Sequence, residues 1–234
     1  MCRIYIFNIT NDVKLMKPYF ETKLGKLYNC DCLDFMKTMD DKSVDLVLTD
    51  PPYGINADLS AHKSGGKCGW VDYGRSEWDK ERPSRHYFEE MLRVTQRQII
   101  WGGNYFTDYL YPTMGWLVWD KGQRNFSLAD GELAWTSFNK AMRIYTVPRS
   151  AALKDGKKHP TQKSLKVMEW CILYADRALK IKVETIFDPF LGSGTTAVAC
   201  EKLKRRWVGI EISEKYCEVA SKRISLESRQ GKLF

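Results

Sequence analysis

Asp50-Pro51-Pro52-Tyr53-Gly54 brings a carboxylate, two rigid prolines and an aromatic ring together at the end of an apolar run, Val44-Asp45-Leu46-Val47-Leu48-Thr49. The run reads as a short buried strand, and the carboxyl end of such a strand is where open α/β sheets hold their ligands. Prolines fix φ and have no N–H, so the carbonyl groups of the turn point in set directions and are free to accept hydrogen bonds. Asp50 adds an anionic acceptor and Tyr53 a flat face. Asp50, Pro51, Pro52 and Tyr53 thus suit a planar molecule bearing an NH2 group: acceptors hold the amino hydrogens and the ring stacks. The plainer alternative is a proline-rich turn with one surface Asp and one half-buried Tyr.

A second chemical stretch lies in the other half of the chain. The strand-like Val183-Glu184-Thr185-Ile186-Phe187 feeds Asp188-Pro189-Phe190-Leu191-Gly192-Ser193-Gly194-Thr195-Thr196, and a helix is expected from Ala197 to Lys204. A strand ending in a carboxylate, a glycine turn and a helix start lets backbone amides approach a polar small molecule. There is one Gly-x-Gly but no third glycine at dinucleotide spacing, and no Gly-Lys-Ser/Thr ending of a phosphate loop. The next strand, Arg206 to Ile210, ends at Glu211, nineteen residues beyond Gly192, the distance at which a strand-end carboxylate takes ribose hydroxyls. Together these features indicate a nucleoside-containing cofactor without a pyrophosphate clamp. Thr161 stands where an N-cap would open an amphipathic helix from Gln162 to Leu179. With Lys163 it offers free helix N–H groups and a cation, which suits a carboxylate or phosphate, although Thr161 alone would serve as a cap.

The elements that must position these groups follow from hydrophobic period. Lys26 to Cys30 reads as a strand ending at Asp31, followed by a short helix with Leu33, Phe35, Met36 and Met39 inward. A helix from Ser84 through Arg97 leads to the strand Gln98-Ile99-Ile100-Trp101, stopped by Gly102-Gly103-Asn104. Met114 to Trp119 is a further strand. Asp130–Phe138 and Ala141–Val147 read as extended pieces added antiparallel at one edge, and the tail from Ser213 to Arg229 is helical. Residues 55–83 lose all pattern but hold Trp70, Tyr73 and Trp78, as expected of a flexible loop that contacts a target; the plainer alternative is a poorly ordered surface loop.

Composition sets the limits. A chain of 234 residues with 44% apolar and 28% charged residues builds one sizeable core, read here as a single catalytic domain over 1–234. A net charge of +8 and a pI near 9.0 favour an anionic partner. Seven cysteines, an odd number without metal spacing, indicate reduced thiols of a cytoplasmic protein, with no structural metal expected. No apolar run approaches a membrane span.

From Lys26 to about Tyr216 the chain resembles the S-adenosylmethionine-dependent amino-methyltransferases of DNA, in the permuted (beta-group) order where the catalytic block precedes the cofactor block. The resemblance rests on Asp50-Pro51-Pro52-Tyr53, His159-Pro160-Thr161-Gln162-Lys163, Asp188 to Thr195, Asn29-Cys30-Asp31, Glu211 and the Trp101-to-Phe106 strand exit. It implies a Rossmann-like α/β fold, a mixed seven-stranded sheet with helices on both faces, and the first strand beside the last. It implies S-adenosyl-L-methionine as cofactor: Asp188, Phe190, Gly192, Ser193, Gly194 and Thr195 around its methionine half, Thr161 and Lys163 at its carboxylate, Glu211 on the ribose, Asp31 and Cys32 beside the adenine. Asp50 and the Pro51 carbonyl would take the target amino group, with Pro52 shaping the turn and Tyr53 stacked on an extruded base. The Asp form of the motif resembles adenine-N6 enzymes acting on double-stranded DNA; cytosine-N4 methylation, or an amino acceptor in RNA or protein, are the alternatives. The resemblance also admits a homodimer, a cognate restriction enzyme and a bacterial or phage origin. Larger relatives carry a recognition domain where this chain has only the short segment 144–160, so a short target or weak selectivity is expected. Arg75, Arg82, Arg85, Lys154, Lys157 and Lys158 are candidate phosphate contacts.

Overall fold

The computed structural model describes residues 16–55, 79–125, 129–148 and 162–230. Apolar runs with β-branched and aromatic residues form nine strands: β1 (Phe20–Glu21), β2 (Gly25–Asn29), β3 (Leu46–Thr49), β4 (Gln98–Trp101), β5 (Trp116–Asp120), β6 (Gly131–Thr136), β7 (Arg143–Thr146), β8 (Thr185–Asp188) and β9 (Arg206–Glu211). They make one sheet in the order β1-β2-β9-β8-β3-β4-β6-β5-β7. The five strands from β2 to β4 are parallel. β6 runs antiparallel between β4 and β5, and β7 joins β5 in parallel.

The body of the sheet, β2 to β5 in spatial order, has the seven strands expected, and β1 and β7 extend it at its two edges. β1 exists because the chain folds back on β2: the Thr22 and Tyr19 amides donate to the Gly25 and Leu27 carbonyls. The expectation of two antiparallel edge pieces is corrected. β6 is antiparallel but interior, where its buried Ala134, Trp135 and Thr136 need cover from both sides, and β7 is parallel to its neighbour. The first body strand does lie against the last in the chain, Asn29 opposite Glu211.

Because strand side chains alternate, each of the seven body strands feeds two cores. Leu46, Leu48, Ile99, Trp101, Ile186 and Trp207 face α3 (Leu165–Leu179), α4 (Thr195–Leu203) and α5 (Glu214–Gln230). Val47, Ile100, Phe187, Val208 and Ile210 face α1 (Cys32–Lys37) and α2 (Arg85–Val94) through Phe35, Met36, Phe88 and Met91. Burial on both faces is why the parallel strands read as unbroken apolar runs. Each buried Leu, Ile or Phe contributes about 1.5–3 kcal/mol.

Two helix boundaries differ from the sequence reading. α2 stops at Val94, short of Arg97, because Thr95 is extended and the Arg97 carbonyl already accepts from Val47 N–H, which starts the β3–β4 pairing. α3 starts at Leu165, with Ser164 at φ −65°, ψ 136° as its N-cap. Gln162 and Lys163 therefore precede the helix, with side chains committed elsewhere. Among the described residues no helix is long and apolar enough to cross a membrane, and no His, Cys, Asp and Glu cluster could hold a metal.

Candidate active site

The parallel strands bring their carboxyl ends to one rim, where β2, β9, β8 and β3 end next to Asp31, at Glu211, at Asp188 and next to Asp50. The two stretches singled out in the sequence are joined there through buried hydrogen bonds. Thr49 Oγ1 donates to Asp188 Oδ1 at 2.6 Å, and Thr196 Oγ1 donates to Asp188 Oδ2 at 2.6 Å. The Phe190 amide donates to Asp188 Oδ1 at 3.0 Å. Asp188 thus ties β3, its own turn and α4 together, and burial pushes its carboxyl up to about 6.

The Asp50 turn is held from several directions. Tyr53 OH donates to Asp50 Oδ1 at 2.5 Å, and the Lys163 ammonium donates to Asp50 Oδ2 at 2.7 Å and to Tyr53 OH at 3.0 Å. Lys163 also meets Glu132 Oε2 at 2.9 Å, and Glu132 is held by Lys121 at 2.7 Å. Burial pushes the Asp50 carboxyl up against the pull of Lys163. Burial lowers the Lys163 pKa, but Asp50 and Glu132 together hold it well above the ordinary lysine range. Lys163 is only 5% exposed, so its charge is viable only because it is paired. Lys163, for which the resemblance implies a cofactor carboxylate, donates to Asp50 and Tyr53 and forms an ion pair with Glu132.

Tyr53 is fixed in the same way. Its ring stacks on Tyr105 at 4.7 Å with 14° between planes and meets Phe106 edge-on. The amides of Tyr53 and Gly54 both donate to Asp79 Oδ1, at 2.7 and 2.9 Å. Asp79 is buried, and sequence reasoning passed it over; its only signal is an acid closing a patternless loop. Glu132 was also missed, because it lies in an extended stretch with no motif around it. Gly102 explains the Gly-Gly strand exit: at φ +67°, a Cβ there would lie 2.0 Å from a Tyr53 ring carbon. Gly102→Ala is expected to cost about 2 kcal/mol through left-handed backbone strain and displacement of that ring. Thermal unfolding checks this, and an unchanged midpoint would show that the ring yields freely.

The glycine turn is built against β9 and α5. Gly192 N–H donates to Glu211 Oε2 at 2.8 Å, so the nineteen-residue spacing is a direct hydrogen bond. The other Glu211 oxygen accepts from Ser213 N–H at 2.8 Å. Gly192 has φ +55°, and no atom lies within 4 Å of where its Cβ would be. Ser193 Oγ donates to Gln162 Oε1 at 3.2 Å, joining this turn to the segment before α3. Arg223 of α5 donates to the Ser193 carbonyl at 2.6 Å and to Thr195 Oγ1 at 3.1 Å; it too was not foreseen. Gly194 is the N-cap of α4.

Asp31 caps α1 by accepting from the Leu33 and Asp34 amides, and its second oxygen accepts from Tyr87 OH at 3.2 Å. The Tyr87 ring lies 5.9 Å from Phe190, so one aromatic pair spans the space between Asp31 and the glycine turn. Cys32 is buried as the first residue of α1. Thr161, Arg75, Lys154, Lys157 and Lys158 lie outside the described residues, as does most of 55–83 and of 144–160. Of the phosphate-contact candidates described, Arg82 pairs with Asp108 at 2.5 Å and Arg85 donates to the Asp108 carbonyl, and both cover the Tyr109 ring.

Comparison with known proteins matches residues 100–222, more than half of the chain, to a family model described as DNA methylase. The chain is 28% identical to the Type II methyltransferase M2.DpnII of Streptococcus pneumoniae, across 92% of this chain and 95% of that protein. It is 24% identical to the Type II methyltransferase M.BamHI of Bacillus amyloliquefaciens, across 97% of this chain and 63% of that protein. Among solved structures, the M1.HpyAVI–SAM complex superposes with a TM-score of 0.53 at 24% identity, covering 86% of this chain and 99% of that one. The cytosine-N4-specific PvuII DNA methyltransferase superposes with a TM-score of 0.58 at 15% identity, covering 92% and 94%. At these identities the two structures share the fold with this chain.

Proposed function

Since the chain belongs to the DNA methylase family, we propose that it is a Type II modification enzyme that methylates the N6 amino group of adenine in double-stranded DNA. The observation that carries this reading is the Asp50–Tyr53 turn, an acidic acceptor and a flat ring on the rim that also holds Gly192 and Glu211. S-adenosylmethionine is the cofactor, and when bound it supplies an electrophilic methyl group.

The residues present fit such a cofactor. Open space stands over Gly192, as a ligand lying against the turn needs. The strand ends offer carboxylate acceptors, Glu211 and Asp31, matched to hydroxyl and amino donors, and no phosphate-loop Lys follows the glycines. Phe190, Gly192, Ser193, Gly194 and Thr195 would line its methionine half over the Asp188 clamp. Glu211 would take the ribose, and Asp31 and Cys32 would border the adenine.

On the target side, a base inside a duplex cannot reach a buried site and must flip out at a cost of a few kcal/mol. Stacking on Tyr53 offsets about 1–3 kcal/mol of it. The adenine amino group is a weak nucleophile because its lone pair is shared with the ring. Asp50 and the Pro51 carbonyl accept its hydrogens, turn the lone pair outward and stabilise the positive charge that grows on nitrogen. That role needs Asp50 ionised, and the Lys163 ammonium pulls towards the ionised form against the burial that raises its pKa. No thiol is required as nucleophile: burial pushes Cys30 up to about 11 and Cys217 up to about 12.

The test is transfer of labelled methyl to unmethylated genomic DNA, followed by digestion to nucleosides. Label is expected in N6-methyladenine. Label in N4-methylcytosine would sink the adenine assignment and leave the family intact, while label only in RNA or protein would sink the DNA substrate.

A further inference from the structure

One ammonium at the rim is shared between two carboxylates. Lys163 Nζ lies 2.7 Å from Asp50 Oδ2 and 2.9 Å from Glu132 Oε2, the latter an ion pair, and it also donates to Tyr53 OH at 3.0 Å. Lys121 closes the row on the far side of Glu132 at 2.7 Å, so two cations and two anions alternate. Both Asp50 oxygens are already engaged, one by Tyr53 and one by Lys163. A target amino group that takes Asp50 as its acceptor must share or displace one of these donors. A displaced ammonium in so enclosed a place needs another counter-charge within bonding distance, or the exchange is prohibitively costly.

We propose that Glu132 is a positioning residue for methyl transfer: it retains the Lys163 ammonium while the target amino group takes that ammonium's place on Asp50 Oδ2. This rests on the reading of Asp50 as the acceptor of the target amino group. No net charge moves in the exchange, because Glu132 is already in contact with Lys163. Topology puts Glu132 there: β6 is antiparallel, so its beginning reaches the rim where the parallel strands end.

The groups that act on Asp50 are Tyr53, Lys163, Glu132 and Asp188, with Lys121 behind Glu132. Removing the Glu132 charge leaves Lys163 to Asp50 alone and removes a repulsion that raises the Asp50 pKa. Asp50 then stays ionised to lower pH but is held more tightly by the ammonium. For Glu132→Gln, turnover with saturating S-adenosylmethionine and duplex DNA is expected to fall about tenfold, with the acidic limb of the pH profile shifted to lower pH. Cofactor affinity should stay within about twofold, and Glu132→Asp should restore the limb and most of the rate. Lys121→Met should shift the limb the opposite way, to higher pH, which keeps the idea testable if Glu132→Gln fails to fold.

Wild-type turnover and profile in Glu132→Gln would overturn the proposal, as would identical behaviour of the Gln and Asp variants, or an unshifted or downward limb in Lys121→Met. An Asp50→Ala protein that keeps its turnover would instead remove the reading of Asp50. An inactive Asp50→Ala beside a wild-type-like Glu132→Gln would remove the role of Glu132 alone.

Discussion

Asp50→Ala is expected to lower methyl transfer to DNA by about a thousandfold, the scale on which one preorganised group facing a growing charge acts in a water-poor site. The argument rests on what else Asp50 touches. Its two oxygens meet only Tyr53 OH and Lys163 among the hydrogen bonds of the described residues. The substitution leaves Lys163 with Glu132, so no isolated buried charge remains and the fold should survive. The strand-end contacts of Gly192 and Glu211 are untouched, so affinity for S-adenosylmethionine should change little. Single-turnover rates with labelled donor, set beside equilibrium dialysis of the donor, separate the two quantities. A variant that binds the donor and still methylates at a near-normal rate would show that the amino group is held elsewhere.

Lys163→Met has the second large effect and a different signature. It leaves Asp50 and Glu132 as neighbouring carboxylates without their shared cation, and breaking such a buried pair costs about 3 kcal/mol. For a chain of this size that is a fall of roughly 6–12 °C in thermal midpoint. The sign with pH follows from the direction of the shift. Burial already raises the Asp50 pKa, and loss of Lys163 raises it further. A carboxyl whose folded pKa lies above its unfolded value favours the fold at low pH, and that contribution is lost as pH rises through the folded pKa. The deficit relative to the parent should therefore be larger at pH 8 than at pH 5; a deficit equal at both would deny the ion-pair account. Turnover should be lost with the ionised acceptor. If instead donor affinity alone fell and turnover at saturating donor persisted, Lys163 would belong to the cofactor carboxylate, as the sequence resemblance implies.

Much of this was legible in one dimension. Leu46-Val47-Leu48 and Ile186-Phe187 announce buried parallel strands because both faces of such strands need apolar side chains, and the residues just beyond them must then stand at the rim. Asp50, Pro51, Pro52 and Tyr53 declared acceptors and a ring because proline geometry is local. The distance from Gly192 to Glu211 marked Glu211 as a strand-end carboxylate because it spans one turn, one helix and one strand, a unit of nearly constant length, but that Glu211 accepts from the Gly192 amide itself only the structure shows. The start of α3 was misjudged because a local cap signal at Thr161 competes with contacts that no local rule contains. Gln162 is held by Ser193, and Lys163 by groups far away in the chain.

Only the tertiary structure decided who shares the Lys163 charge. Asp50 lies 113 residues before Lys163, and Glu132 reaches them because β6 enters the sheet in the reverse direction. Asp79, 26 residues from Tyr53, fixes the Asp50–Tyr53 turn through two amides that the sequence leaves without a visible partner. Covalent order determines which chemical groups are available and which faces are apolar. The pairing of buried charges is set by strand direction and by the need to neutralise each charge removed from water, and both are properties of the assembled sheet.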